Sequence, residues 1–161
     1  MEYRDLYDIN RNLTGEKILK DEPIPENKYI MMVVIFIRNG KNEFLIQKRS
    51  KEKGGLWATT GGHPKSGEDS LQCIITEVKE ELGIDIKKPI LFKKASGKNT
   101  LCDLYFLNKN ININDIHLQK EEVNEVRWAT IEEIEKLMQE KKFNKGHFMM
   151  FNDLLKYLKN T

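Results

Sequence analysis

Residues 62–84 read GHPKSGEDSLQCIITEVKEELGI and contain the clearest helical pattern in the chain. Apolar side chains recur at helical spacing between positions 71 and 82, which predicts a helix over Asp69–Leu82. Asp69 or Ser66 can cap its first turn, and Gly83 is a residue type that commonly ends a helix. One narrow face of this helix is therefore expected to pack against a core. The apolar side chains on that face are Leu71, Ile74, Ile75, Val78 and Leu82.

Three glutamates occupy the flank of the same predicted helix. Glu77, Glu80 and Glu81 have i, i+3 and i+4 spacing and lie within an arc of roughly 100°, directed away from the core. No lysine lies on that arc of the helix, so the carboxylates repel one another. The stability of the helix alone therefore does not account for this cluster. Such a cluster is either a solvated acidic face or a set of oxygen ligands for a divalent cation such as Mg²⁺.

Glycines on both sides of a short loop favour the second interpretation. Gly61 and Gly62 lack a Cβ and let the backbone approach a ligand closely, directly before the loop. Gly67 and Glu68 then form the turn that leads to the helix with the three carboxylates. The glycine pair and the acidic helix are therefore expected to form two sides of one site.

Outward from this segment, strand and helix patterns alternate along the chain. Tyr29–Ile37 is continuously apolar, which predicts a strand buried on both faces, and Asn39-Gly40 is a turn that leads into a second strand, Phe44–Arg49. Thr130 opens a capping box and a helix to about Lys141. The fold class is therefore α/β, a mixed sheet flanked by helices. The other predicted elements are an N-terminal β-hairpin within Met1–Glu22, strands at Ile84–Lys93, Thr100–Leu107 and Val123–Trp128, and a helix at Phe148–Leu158.

Composition limits the classes of protein that the chain can be. Its 161 residues suit one domain, 1–161, in which 1–28 is an N-terminal β extension and 29–161 the core. Lys and Arg number 27 against 25 acidic residues, without a basic stripe, so a nucleic acid polymer is not an expected partner. The longest apolar run has nine residues, well below the roughly 20 of a membrane helix, and no signal peptide is recognisable. Cys73 and Cys102 lack metal-ligand or disulfide spacing and are expected to be buried. We expect a cytoplasmic protein.

The spacing of the central segment resembles a known family signature. Its pattern, Gly62-x5-Glu68-x7-Thr76-Glu77-Val78-x-Glu80-Glu81-x-Gly83-Ile84, is similar to the Nudix box, G-x5-E-x7-R-E-U-x-E-E-x-G-U, where U is aliphatic. Every defined position matches except Thr76, which stands where the family has arginine. The resemblance implies the Nudix α/β/α sandwich with the strand order outlined above.

The resemblance also implies an activity and a cofactor. Family members hydrolyse a nucleoside diphosphate linked to another group, or a related organic diphosphate, so a pyrophosphatase with a small-molecule substrate is expected. Glu77, Glu80 and Glu81, together with the backbone carbonyl of Gly62, would hold Mg²⁺ or Mn²⁺. The metal would position the diphosphate and activate the water that attacks phosphorus. Because Nudix proteins are often dimers, a homodimer stays open as the assembly.

Further site residues follow from the same resemblance. Arg49 ends a predicted strand at a position where family members bind substrate phosphate, and a guanidinium forks onto phosphate oxygens. Gly61 and Gly62 are expected to contact substrate through their backbone. Glu77 is a family position for metal binding or base chemistry, and a carboxylate of a later loop, Glu121 or Glu122, is the other candidate base. Of these two we take Glu122 as the candidate. The alternative for Glu121 and Glu122 is a charged turn without a catalytic role, and the alternative for Arg49 is an ordinary surface charge.

Two other functions compete with the hydrolase interpretation. Residues 5–18 and the stretch Thr60–Pro64 resemble isopentenyl-diphosphate isomerase. That enzyme needs a cysteine where this chain has Gly61, and a glutamate pair where it has Lys98–Cys102, so isomerase chemistry is disfavoured. The second alternative is a catalytically silent nucleotide-binding domain, supported only by Thr76, which cannot orient the glutamates as an arginine would. His63 is expected to be an exposed loop residue, and Trp57 to be in the core or to face substrate.

Overall fold

The computed structural model describes all residues from Met1 to Thr161. The chain forms nine strands and three α-helices. The strands are β1 Tyr3–Tyr7, β2 Leu13–Leu19, β3 Ile30–Arg38, β4 Phe44–Arg49, β5 Trp57–Ala58, β6 Gly61–Gly62, β7 Ile90–Ser96, β8 Thr100–Asn108 and β9 Val123–Ala129, and the helices are α1 Ser70–Leu82, α2 Ile131–Gln139 and α3 Lys145–Lys159. No helix is both long and apolar enough to cross a membrane.

Strand β3 is the centre of a seven-stranded mixed sheet. It runs parallel to β8 from Ile30 opposite Thr100 to Arg38 opposite Asn108, and it pairs antiparallel with β4 and β6. Strands β5 and β9 pair with β4, and β7 pairs with β8. The continuously apolar sequence of β3 is buried on both faces, as predicted, because each face of the sheet carries its own hydrophobic core.

The helices cover both faces of the sheet. Helix α1 packs its buried residues against one face of β3, on the side of Val33 and Ile35. Helices α2 and α3 cover the other face, where Val34 and Phe36 meet Phe151. The predicted α/β/α sandwich is confirmed, with both cysteines buried in these cores.

Helix α1 starts and ends as the sequence predicts, but its buried face is rotated. Asp69 caps it within a capping box, and Gly83 ends it in the left-handed region at φ 70°. Leu71, assigned to the apolar face, is 44% exposed, whereas Cys73 is fully buried in its place. The strand predicted at Ile84–Lys93 is correct only from Ile90, where β7 begins; residues 84–89 form no ladder.

The N-terminal hairpin is confirmed and is fixed to the segment that precedes α1. Strands β1 and β2 pair antiparallel, and β1 bridges to the start of the sheet through Tyr7 and Tyr29. The Asp5 carboxylate accepts hydrogen bonds from the Ser66 hydroxyl at 2.6 Å and the Gly67 amide at 2.9 Å. These contacts place the hairpin beside the loop between β6 and α1.

Candidate active site

A polar cleft of about 340 Å³ lies where the hairpin, the ends of β4 and β6, and helix α1 meet. Only three of its nineteen lining residues are hydrophobic, so the cleft suits a charged ligand. Five acidic and five basic side chains, from different elements of the fold, line it. They are Glu2, Glu77, Glu80, Glu81 and Glu122, and Arg4, Lys20, Arg49, Lys53 and Lys65.

The two glycines of β6 permit a close approach of backbone and side chain at the cleft. A Cβ on Gly62 would lie 2.5 Å from the carboxyl carbon of Glu77 and 2.6 Å from its Oε1. A Cβ on Gly61 would lie 2.6 Å from the carbonyl oxygen of Val33, in the strand that pairs with β6. Gly62 therefore makes room for the Glu77 carboxyl, and Gly61 makes room for the adjacent backbone.

Glu81 is held by a buried polar chain of hydrogen bonds. The Gln47 side-chain amide donates to Glu81 Oε1 at 2.7 Å, and the Thr60 hydroxyl donates to Gln47 Oε1 at 2.7 Å. Glu81 is only 7% exposed, so the expectation that all three glutamates point away from the core is wrong for this residue. The helical pattern treats every carboxylate as solvent-facing, whereas the amide of β4 supplies Glu81 with a partner inside the protein.

The Glu77 and Glu81 carboxyl groups are close neighbours, and the pKa of each is raised. Burial and the neighbouring Glu81 raise the pKa of Glu77 from 4.5 to about 9. Burial also raises the pKa of Glu81, although the hydrogen bonds from Glu77 and Gln47 oppose that shift. Two adjacent carboxyl groups in a partly desolvated site cannot both ionise without a compensating cation. Without such a cation, the pair holds a proton at neutral pH.

The pair is a partial set of ligands for a hard divalent cation. Glu80 lies on the same helix and is exposed. No three Asp, Glu, His or Cys side chains converge closely enough to hold a metal ion by themselves. The available donors are nonetheless all oxygens, from the glutamates and from the backbone beside Gly62, and this is the donor chemistry that Mg²⁺ prefers. The residues therefore fit an ion that completes its shell with water or substrate.

Arg49 and Glu122 also line the cleft, as the sequence predicts for substrate and base positions. Arg49 is partly buried at the end of β4 and forms no ion pair within the protein. Glu122 forms an ion pair with Lys53 at 3.6 Å, whereas Glu121 faces a separate groove on the far side of the loop. Of the two candidate bases, only Glu122 is thus available at the cleft.

Thr76 and Trp57 were the two other residues with a possible role at the site. The Thr76 side chain is partly buried and forms no hydrogen bond with any of the glutamates, so Thr76 does not take over the orienting role of the family arginine. Of the three glutamates, Glu81 is instead oriented by Gln47. Trp57 is 8% exposed and packs in the core under the guanidinium of Arg127, away from the cleft. Its second interpretation, contact with substrate, is therefore not supported.

Several cleft residues were not singled out by the sequence pattern. Arg4 and Lys20 come from the hairpin, and His147 comes from α3 near the other end of the chain. His63, expected to be exposed, is partly buried and lines the cleft, where burial and Arg4 lower its pKa to about 4. No local sequence pattern marks Arg4, Lys20 or His147 as residues of the cleft.

The chain is thus an α/β/α sandwich with a glycine-flanked acidic helix beside a charged cleft. The family model described as NUDIX domain matches residues 28–153, and the chain belongs to the Nudix hydrolase family.

Known proteins of similar sequence and structure support this assignment. An uncharacterized Nudix hydrolase of Listeria monocytogenes is 36% identical over 160 residues, which cover 94% of this chain and 95% of the relative. The crystal structure of DR0079 from Deinococcus radiodurans has a TM-score of 0.78 at 20% identity and covers 93% of this chain and 96% of that chain. An isopentenyl-diphosphate Delta-isomerase of Pectobacterium atrosepticum is 34% identical over 83 residues, 49% of this chain and 46% of the enzyme. The isomerase similarity is therefore real but limited to about half of each chain.

Proposed function

We propose that this chain is a divalent-metal-dependent hydrolase of a small organic diphosphate, such as a nucleoside diphosphate linked to another group. The observation that carries the proposal is the Glu77–Glu81 pair, with Glu77 packed against Gly62, in a cleft that is also lined by five basic side chains. A carboxylate pair that holds a proton at neutral pH is poised to exchange that proton for a cation. Basic side chains that line the same cleft, among them Arg49, which forms no ion pair, complement phosphate oxygens.

Glu77, Glu80, Glu81 and the carbonyl of Gly62 would hold Mg²⁺ or Mn²⁺. Such an ion, when bound, neutralises the charge of a diphosphate and lowers the pKa of a water molecule. The donor set of carboxylate and carbonyl oxygens supports a hard cation over zinc or copper, because no histidine or cysteine lies among these donors.

The side chains of the protein divide the remaining tasks. Gln47 and Thr60 fix the orientation of Glu81 through their two short hydrogen bonds. Arg49 binds a phosphoryl oxygen, a role supported by its place in the cleft and its lack of an ion pair. Glu122 accepts the proton of the attacking water as a new bond forms from the water oxygen to phosphorus. The bond from phosphorus to the bridging oxygen breaks, and the other phosphate leaves with that oxygen.

Isomerase chemistry is not supported by the cleft. Cys73 and Cys102 are both buried in the hydrophobic cores, and neither lines the cleft. The position that a catalytic cysteine would need is Gly61, where any side chain would collide with the carbonyl of Val33. The alternative of a catalytically silent nucleotide-binding domain has one supporting observation, the missing hydrogen-bond partner at Thr76.

A substrate screen with matched variants tests the proposal. The protein is incubated with nucleoside diphosphates, nucleoside diphosphate sugars, dinucleoside polyphosphates and simple organic diphosphates, with Mg²⁺ or with Mn²⁺, and products are separated chromatographically. We expect hydrolysis of at least one compound, abolished by EDTA and reduced about 100-fold or more in Glu81→Gln. Glu135→Gln, at an exposed position of α2 outside the cleft, is the control. Turnover in excess EDTA refutes metal dependence, and binding without any turnover favours the silent domain.

A further inference from the structure

His147 is a buried polar residue that the proposed mechanism does not use. It lies in the first turn of α3, where its backbone amide donates to the capping side chain of Asn144 at 3.0 Å. The residue is only 6% exposed, yet its ring forms part of the wall of the cleft. A polar ring so deeply buried needs hydrogen-bond partners on both nitrogens.

One of the two ring nitrogens is fully occupied by Thr59. The backbone amide of Thr59 donates to His147 Nδ1 at 3.2 Å, and the Thr59 hydroxyl lies 2.9 Å from the same atom. A nitrogen that accepts from a backbone amide carries no proton of its own, so a neutral ring has its proton on Nε2. Burial, assisted by the charge of Arg49, lowers the pKa of His147 to about 4 and keeps the ring neutral at physiological pH.

The other nitrogen has no partner in the protein. No side chain or backbone group accepts a hydrogen bond from Nε2 of His147, although the ring borders a cleft built for a charged ligand. The fully buried side-chain polar atoms without a partner are Arg4 Nε and Arg127 Nε, so Nε2 of His147 is open to the cleft. An acceptor oxygen from a ligand can there take the hydrogen bond that water would otherwise accept. Arg49 lines the same cleft as His147, so a ligand bound there can meet both side chains.

We propose that His147 is a substrate-binding residue whose Nε2–H donates a hydrogen bond to an oxygen of the phosphoryl group that Arg49 holds. The identity of the ligand as a phosphoryl compound rests on the proposed function. The orientation of the ring rests only on Thr59 and on the walls of the cleft. As a fixed neutral donor, His147 selects for an acceptor oxygen at this point and against a ligand group that is itself a donor.

Two substitutions separate the two nitrogens of the ring. His147→Asn keeps an acceptor near the Nδ1 position for Thr59 but removes the distal donor, whereas His147→Gln extends an amide N–H toward the Nε2 position. Binding of methylenediphosphonate, a diphosphate that cannot be hydrolysed at its bridge, is measured calorimetrically in Mg²⁺. We expect His147→Asn to weaken binding about tenfold or more and His147→Gln to retain most of it. His117→Asn, an exposed histidine outside the cleft, is the matched control and should bind normally.

Nitrogen NMR gives a readout that a purely structural role would not move. The Nε2 resonance of His147 should report a neutral, Nε2-protonated ring in the free protein and should shift when methylenediphosphonate binds. A ligand that does not bind the wild type, a resonance that stays in place, or equal binding by His147→Asn would overturn the inference. If His147→Asn does not fold, the resonance and His147→Gln still decide it. Binding with these signatures but no turnover of any diphosphate would refute the proposed function and leave the inference standing.

Discussion

Replacing the proton of the Glu77–Glu81 pair by Mg²⁺ should make metal affinity depend steeply on pH. The pKa of Glu77 is raised from 4.5 to about 9, mainly by burial, so the metal-free protein keeps this proton throughout the range from pH 6 to pH 8. A cation binds the deprotonated carboxylates, and each binding event therefore releases one proton. Linkage then requires the apparent affinity to rise about tenfold per pH unit, or about 100-fold between pH 6 and pH 8.

Isothermal titration calorimetry measures both quantities directly. Mg²⁺ is titrated into metal-free protein at pH 6, 7 and 8, each in two buffers of different ionisation enthalpy, so that the number of released protons is obtained beside the affinity. Mn²⁺ serves as a second, tighter ligand if Mg²⁺ binding is weak at pH 6. A proton count near one and an affinity that rises with pH are the expected results.

Two variants on helix α1 show whether the Glu77–Glu81 pair causes the pH dependence of metal affinity. Glu77→Gln removes the shared proton and should flatten the pH dependence as well as weaken binding. Glu80→Gln, at an exposed position, should weaken binding while the pH dependence stays close to that of the wild type. Affinity that is independent of pH in the wild type, with no proton released, would refute the assignment of a shared proton to Glu77 and Glu81.

Three other changes test neighbouring parts of the site. Gly62→Ala places a Cβ against the Glu77 carboxyl and should lower kcat at least about tenfold with little loss of stability. Gly61→Ala places a Cβ against backbone and should lower the free energy of unfolding by about 1–3 kcal/mol in denaturant titrations. Loss of stability in Gly62→Ala and loss of kcat alone in Gly61→Ala would contradict the geometry. Thr76→Arg should raise kcat or lower the Mg²⁺ concentration needed for activity, by an amount that corresponds to a free energy of about 1–2 kcal/mol. Unchanged kinetics at every metal concentration would show that the protein does not need the absent arginine. Arg4→Gln should raise KM for a diphosphate more than it lowers kcat, and an unaltered KM would remove the hairpin from the binding site.

The sequence predicts those features of the fold that depend on neighbouring residues. Helix α1 forms where apolar spacing, the Asp69 cap and the terminal Gly83 all agree. Strand β3 is buried on both faces because its apolar run has no polar alternation. The strand predicted from Ile84 fails for a physical reason: Ile84 and Ile86 alternate because both pack into the core, and this burial needs no partner strand.

The interior of the site depends on residues that are distant in sequence. Glu81 is buried because Gln47, 34 positions earlier, supplies an amide, and a helical wheel contains no information about that partner. His147 approaches the cleft because α3 packs against the sheet near Thr59, 88 positions earlier. The family signature thus identifies the carboxylates, whereas their protonation and the opposite wall of the cleft are tertiary properties.

The hydrogen-bond chain also explains why the fold tolerates a carboxyl pair of this kind. Thr60, Gln47 and Glu81 form a connected buried network, which holds the Glu81 carboxyl in one orientation in the metal-free protein. The pair opposes folding of the metal-free protein as pH rises from 4.5 toward 9, because the unfolded chain then ionises Glu77 while the folded protein retains the proton. A cation that replaces the proton binds only the folded arrangement and reverses this trend. The melting temperature of metal-free protein should therefore fall from pH 6 to pH 8, and saturating Mg²⁺ should remove that fall.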